Sequence, residues 1–124
     1  MATIDDARRI TRSFPETTED PEGFGFSVRD KGFAWAWTER VEPKKPRVRR
    51  DDVLAVRVSG DAEKQILLAS DPVKFFTEPH YNGFPAILVN LPAIDDEELA
   101  ELLLNAWRCR APKRLVQEMD GSAG

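Results

Sequence analysis

Hydrophobic and polar residues follow two different periods along the chain, and the change of period marks its elements. Near the N-terminus, apolar residues recur at helical spacing: Ile4, Ala7, Ile10 and Phe14. This pattern predicts a helix over residues 4–13. Thr3 can cap the helix, and Pro15 ends it because the residue before a proline avoids helical dihedrals. The acidic residues 16–23 are predicted to form a loop.

From Phe24 the period changes to two. Alternation over residues 24–28 predicts a strand, and Asp30-Lys31-Gly32 predicts a hairpin turn after it. In the following strand Phe33, Trp35 and Trp37 lie on one face and small residues on the other. A further strand is predicted over residues 53–58, after a basic loop that contains two prolines.

The second half of the chain returns to helical spacing. A helix is predicted over residues 62–69, with Asp61 as its cap, followed by a turn, the short segment Phe75–Phe76 and a strand over residues 86–91. A long helix opens at Asp95 and ends before Pro112. Residues 113–119 are predicted to form another helical segment, and residues 121–124 a frayed tail.

The resulting order, α-β-β-β-α-β(β)-α, predicts an α+β fold with an antiparallel sheet. The helices are expected to pack on one face of that sheet. The aromatic side of the second strand is the predicted core side, because that stripe has the largest apolar area in the chain.

Composition limits the classes of protein to which the chain can belong. The chain has 124 residues, of which 41% are hydrophobic and 32% charged, which is typical of one domain, here placed at residues 1–120. One cysteine, Cys109, allows no internal disulfide and fits a reducing compartment. We find neither a secretory signal pattern nor a stretch of about 18–20 apolar residues. A soluble cytoplasmic protein without membrane contact is therefore expected, and no feature indicates its oligomeric state.

Charge is distributed unevenly along the chain. The net charge is −4, yet residues 40–50 carry +5, so that the remainder carries −9. The acidic remainder argues against a general nucleic-acid coat protein. The dense basic loop nevertheless predicts phosphate contacts by Lys44, Lys45, Arg47, Arg49 and Arg50. The alternative is a solvated loop that balances nearby acids.

A second basic cluster, Arg108, Arg110, Lys113 and Arg114, lies at the end of the long helix. Its simplest explanation is that cations favour a helix C-terminus. Arg110, Lys113 and Arg114 are added to the predicted nucleic-acid contacts on the hypothesis that the two basic clusters lie close together in space.

Other candidate sites have simple structural explanations. The stripe of Phe33, Trp35 and Trp37 could stack nucleobases if it were exposed, but a core role is the better interpretation. His80 has no second histidine to form a metal site with, and Cys109 is interpreted as an ordinary thiol, although its two flanking arginines could lower its pKa. The acids 95–98 suit a first helical turn better than a cation site. We therefore predict no metal, no cofactor and no enzyme activity.

Several short motifs, taken in order, resemble the MmcQ/YjbR family. They are Phe14-Pro15-Glu16, Lys31-Gly32-Phe33-Ala34-Trp35, Leu67-Leu68-Ala69-Ser70-Asp71-Pro72, His80-Tyr81-Asn82-Gly83-Phe84-Pro85 and Ala111-Pro112-Lys113-Arg114-Leu115. The resemblance covers nearly the whole chain. It implies a compact α+β fold related to type III secretion chaperones and similar in outline to frataxin.

The family is often labelled DNA-binding, and the resemblance carries no catalytic residues. It thus implies DNA as a partner, with Lys113 and Arg114 as the matching basic step. The alternative function is a chaperone-like module that binds a protein partner and has no nucleic-acid or catalytic role.

Overall fold

The computed structural model describes residues 1–21, 25–39, 43–46 and 48–123. These residues form four α-helices and six β-strands. The helices are α1 (Ile4–Thr11), α2 (Asp61–Ser70), α3 (Asp96–Arg110) and α4 (Lys113–Ala123). The strands are β1 (Thr17–Glu19), β2 (Phe26–Val28), β3 (Lys31–Glu39), β4 (Val48–Arg57), β5 (Phe75–Phe76) and β6 (Ala86–Asn90). Two single 3₁₀ turns cover Pro79–Tyr81 and Leu91–Ala93.

The six strands form one antiparallel sheet in the order β1-β2-β3-β4-β6-β5. This arrangement confirms the predicted α+β class and the antiparallel pairing. The two-residue turn Arg29-Asp30 joins β2 to β3, whereas α2 separates β4 from the pair formed by β5 and β6. None of the described helices is long and apolar enough to cross a membrane.

All four helices pack on the same face of the sheet, as predicted. Their buried residues join those of the strands in one core, whose helical members include Ala7, Ile10, Leu99, Leu103 and Leu115. Trp107 of α3 lies at the centre of this helix-side core with none of its surface exposed. Its ring contacts Phe14, and its Nε1 donates a hydrogen bond to the Pro15 carbonyl at 3.1 Å.

The helix boundaries follow local chemistry. Thr3 caps α1 in a reciprocal capping box with Asp6, and Asp95 caps α3 by accepting a hydrogen bond from the Glu98 amide. Both caps were predicted. Asp61, in contrast, is the first residue of α2 rather than its cap, which is Gly60. Pro112 separates α3 from α4 as expected, and α4 extends beyond the predicted Met119 to Ala123.

Three boundaries in the sheet differ from the prediction, and strand pairing explains each of them. Residues 17–19, predicted as loop, form β1 because they pair with β2. The tight turn lies one or two residues earlier than predicted, at Arg29 and Asp30, which both adopt positive φ angles. β4 begins at Val48 instead of Val53, because residues 37–39 at the end of β3 pair with residues 48–50.

Candidate nucleic-acid interface

The face of the sheet opposite the helices has a small cluster of its own, which we call the aromatic face. Its buried members are Trp37, Val53, Ala55 and Leu88, and its partly buried members are Trp35, Phe76 and Tyr81. No residue of a described α-helix belongs to this cluster. The segment 77–85 and the exposed ring of Phe84 complete the surface.

The predicted core stripe is divided between the two faces of the sheet. Phe33 is buried in the helix-side core and Trp37 in the smaller cluster, so the core prediction is confirmed for both, whereas Trp35 is only half-buried. The expectation that all three rings lie on the helix side is wrong for Trp35 and Trp37. The register between β2 and β3 pairs Phe26 with Ala34 and Ser27 with Gly32, which leaves Phe33 as an extra, bulged residue. Phe33 and Ala34 therefore both join the helix-side core. Beyond the bulge the alternation is shifted by one residue, and Trp35 and Trp37 face the other way.

The rings of the aromatic face form two contacting groups. Trp35 donates a hydrogen bond from Nε1 to the Tyr81 hydroxyl at 3.0 Å. Its ring lies 6.2 Å from that of Phe84 in an edge-to-face arrangement. Trp37 contacts Phe76 in a similar way, with ring centres 5.7 Å apart. These edge-to-face geometries hold the rings in fixed orientations.

Lys64 of α2 fastens the segment 77–85 to the body of the protein. Only 2% of Lys64 is exposed, and its Nζ donates hydrogen bonds to the carbonyl oxygens of Tyr81 and Phe84. Burial lowers the pKa of this amine. Gly83 adopts a φ of +78°, which lets the backbone turn between the two carbonyls. Lys64 thereby fixes the position of the Phe84 ring, which is 40% exposed.

Two arginines lie against these rings. The guanidinium of Arg57 is 5.6 Å from the centre of the Phe84 ring, and that of Arg50 is 5.9 Å from the Trp37 ring. Arg50 also donates two hydrogen bonds of 2.9 Å to the Asp52 carboxylate. These bonds hold the pKa of Asp52 below its usual range. The arrangement places planar cations beside partly exposed rings.

The predicted basic loop is only partly a loop. Lys44 and Lys45 are exposed at the tip between β3 and β4, as predicted. Arg50 is a half-buried strand residue, and the backbone of Arg49 also belongs to β4, so the loop assignment is wrong for both. Arg47 lies outside the described residues. The cause of the error is the length of β3, which draws residues 48–50 into the sheet.

The second basic cluster lies at the other end of the sheet. Arg57 is near enough to Cys109 and Arg110 to influence the pKa of Cys109, which places the end of α3 beside the end of β4. The basic tip lies at the start of β4, about 25–30 Å away for a strand of this length. Lys113 and Arg114 follow Arg110 on the helix side, where Arg114 pairs with Glu118 at 3.4 Å. The structure therefore does not bring the two basic clusters together.

The remaining candidates have structural roles. Partial burial raises the pKa of the Cys109 thiol and Glu63 adds to the rise, which outweighs the opposite influence of Arg57 and Arg110. Of the acids at the start of α3, Asp96 pairs with Arg9 of α1 and Glu98 with Lys74. The backbone of His80 belongs to a 3₁₀ turn, and its side chain lies outside the described atoms.

Sequence reasoning missed three residues of this surface: Asp52, Lys64 and Phe84. The segment 77–85 was noted only for the motif His80-Tyr81-Asn82-Gly83-Phe84-Pro85 and for its single histidine. No local pattern marks Lys64, because an isolated lysine in an amphipathic helix is typical of a solvent-exposed position. The signal that was present is the abundance of rings near Gly83, since Tyr81 and Phe84 in a loop need a surface to pack on.

The sequence is similar to one family model and to several known proteins. The family model described as YjbR matches residues 12–109. Uncharacterized proteins of Mycobacterium tuberculosis and Mycobacterium bovis are 37% identical over 130 aligned residues, with 100% of this chain and of each relative covered.

One solved structure gives a further comparison. It is the crystal structure of a Deinococcus radiodurans protein with a DUF419 domain. The two structures align with a TM-score of 0.59 and 24% identity, covering 86% of this chain and 77% of the other. The likeness supports the fold.

Proposed function

The chain belongs to the YjbR family, and on that premise we propose that the protein binds DNA through its aromatic face and the basic segment between β3 and β4. The proposal is for a binding protein and not for an enzyme. It keeps the phosphate contacts predicted for Lys44, Lys45, Arg47, Arg49 and Arg50. It adds the rings of the aromatic face, of which Trp37 lies beside Arg50 and Phe84 lies at the opposite end of β4.

One observation carries the proposal: a sheet face over which the described residues place no α-helix holds partly exposed rings with arginines against them. Phe84 is 40% exposed, and Arg57 lies over its ring. Trp35 is half-buried next to Phe84. Nucleobases stack on such rings, and arginine contributes cation–π contacts and hydrogen bonds to phosphate. A face of this kind is typical of proteins that bind nucleic acid on a sheet.

The basic tip continues this surface. Arg50 lies over Trp37 on the aromatic face, and Lys44 and Lys45 are exposed a few residues earlier in the chain. A strand of DNA that stacks on Phe84 and Trp35 and runs along β4 past Trp37 can therefore bring its phosphates to the tip. Lys113 and Arg114 lie at the far end on the helix side, and the proposal gives them no part in this footprint.

The test is fluorescence anisotropy of labelled single-stranded and duplex DNA at several salt concentrations. We compare a Lys44→Gln/Lys45→Gln variant with a Lys113→Gln/Arg114→Gln variant, because both lose two positive charges from exposed sites. The tip variant is expected to bind more weakly and to reduce the slope of log K against log salt by about 1.5. The helix-end variant is expected to keep the parental affinity and slope.

Two results would overturn the proposal. The first is the absence of binding by the parent protein at low salt, which would leave the protein-interaction role as the better hypothesis. The second is an equal loss of affinity in both variants, which would mean that net charge and not the aromatic face determines binding.

A further inference from the structure

A groove runs between α2 and α3, on the helix side of the sheet and away from the aromatic face. It has a volume of about 220 Å³. Leu67, Leu102 and the buried ring of Phe75 provide its apolar surface. Glu63 of α2 and Glu101 of α3 also line it. The groove thus combines apolar and acidic lining residues.

The carboxylates of this groove differ in how they are engaged. Glu98, a third lining residue, accepts a hydrogen bond from Lys74 Nζ at 2.7 Å, so its charge is already balanced. Glu63 accepts a hydrogen bond from the Ser59 backbone amide at 2.8 Å. This bond fixes the Glu63 side chain but does not neutralise its negative charge. Within the described part of the chain, Glu101 has neither a hydrogen bond nor an ion pair, and it is exposed.

We propose that this groove binds a lysine or arginine side chain presented by a peptide segment of a partner protein. Both side chains join an apolar stem to a cationic end. Leu67 and Leu102 match the stem, and the carboxylate of Glu101 matches the cation. We choose a basic side chain as the occupant because its apolar stem and cationic end match the apolar and acidic residues that line the groove.

The surroundings favour a peptide. Ile66 is 68% exposed and lies one turn after Glu63 on α2, so an apolar neighbour of the basic residue has a surface to contact. The volume suits one long side chain and is small for a folded element. The carboxylates repel phosphate, which separates this site from the DNA proposed to bind on the opposite face.

The experiment follows backbone amide shifts of the full chain by NMR during titration with a ten-residue peptide whose centre alternates leucine and arginine. The same peptide with glutamate in place of arginine is the control ligand. The basic peptide is expected to shift the amides of residues 63–67 and 101–105, and the acidic peptide is expected to leave them unchanged.

Three variants sharpen this test. Glu101→Gln is expected to weaken binding of the basic peptide about three- to fivefold, since it removes one exposed ion pair. Asn105→Trp, at an exposed position lining the groove, is expected to fill the groove and abolish binding. Glu97→Gln removes the same charge from an exposed position of α3 that does not line the groove, and is expected to change nothing.

Several outcomes would overturn the proposal. They are shifts confined to other regions, equal binding of the acidic peptide, and equal effects of Glu97→Gln and Glu101→Gln. Displacement of the peptide by spermidine at the same concentration would identify a free polyamine as the ligand instead. A dimer of the parent that Asn105→Trp dissociates would identify a second copy as the occupant. Because Lys44 and Lys45 lie outside the groove, failure of DNA binding leaves this test unaffected.

Discussion

The two faces of the sheet are built from similar residues but in different ways. On the helix side, side chains from all four helices bury Phe26, Phe33, Leu54 and Trp107 almost completely. On the aromatic face, a segment of nine residues takes the place of a helix layer, and Trp35, Phe76 and Tyr81 stay partly exposed. The difference predicts that the helix side contributes most of the stability, and it leaves partly exposed the rings that the proposed DNA binding requires.

The largest expected effect distinguishes the two faces by stability. Trp107→Ala removes a fully buried ring and its hydrogen bond to Pro15, and should lower the free energy of unfolding by about 3–5 kcal/mol. Trp35→Ala removes a half-buried ring and should lower it by less than half as much. Urea unfolding followed by far-ultraviolet circular dichroism measures both.

If Trp107→Ala does not fold, Leu103→Ala in the same core serves instead, with an expected loss of about 2–5 kcal/mol. A loss for Trp35→Ala equal to that of the core variant would contradict the comparison. It would mean that the aromatic face is a second structural core and not a binding surface.

The second prediction concerns Lys64, which joins the helix layer to the aromatic face. Lys64→Met keeps the apolar stem but removes the two hydrogen bonds from Nζ to the carbonyls of Tyr81 and Phe84, which then keep only their backbone donors, at a cost of about 1–3 kcal/mol. The amides of residues 79–85 should then exchange hydrogen faster, while those of α3 remain protected. Unchanged exchange in residues 79–85 would show that the ring contacts alone hold the segment.

Lys64 also predicts a pH dependence. Burial lowers its pKa in the folded protein below the unfolded value near 10.5. Between these two pKa values the unfolded chain binds more protons, so stability should rise with pH through that window. The difference in unfolding free energy between the parent and Lys64→Met, followed from pH 7 to pH 10, measures this effect. A difference that stays constant over the range would contradict it.

The sequence was sufficient for the helix side and insufficient for the aromatic face, for a physical reason. Helix caps such as Thr3 and Asp95 and the break at Pro112 depend on neighbouring residues, and all three were predicted. The side taken by Trp35 depends on the bulge at Phe33, which is set by the register with β2. Register is set by the way two strands pair, so it cannot be predicted from the hydrophobic period of one strand alone.

The same reasoning applies to the candidate site. The exposed position of Lys44 and Lys45 followed from prolines and charges in one segment. The placement of Arg50 in a strand followed from the length of its partner β3, and the distance between the two basic clusters followed from the whole topology. Contacts between distant segments, such as Arg57 with Phe84, have no signal in either segment alone.

The smallest expected effect concerns the pair of Arg50 and Asp52, at the border between the aromatic face and the basic tip. Both side chains are more than a third exposed, so the pair contributes at most about 1 kcal/mol to stability. Since the pKa of Asp52 is lowered below 3.8, this contribution is present above pH 3.8 and is lost as the pH falls through the lowered value. Acid unfolding of Asp52→Asn should lack this component.

The same change should strengthen the proposed DNA binding, because the Arg50 guanidinium is released from the carboxylate and can contact a phosphate. We expect a gain in affinity of about two- to fivefold in the anisotropy measurement. Asp51→Asn is the matched control, since Asp51 is the adjacent exposed acid and loses the same charge. Equal gains in both variants would mean that Arg50 acts only through the net charge of the tip. A larger gain for Asp52→Asn would identify Arg50 as the cation that links the rings of the aromatic face to the phosphate-binding tip.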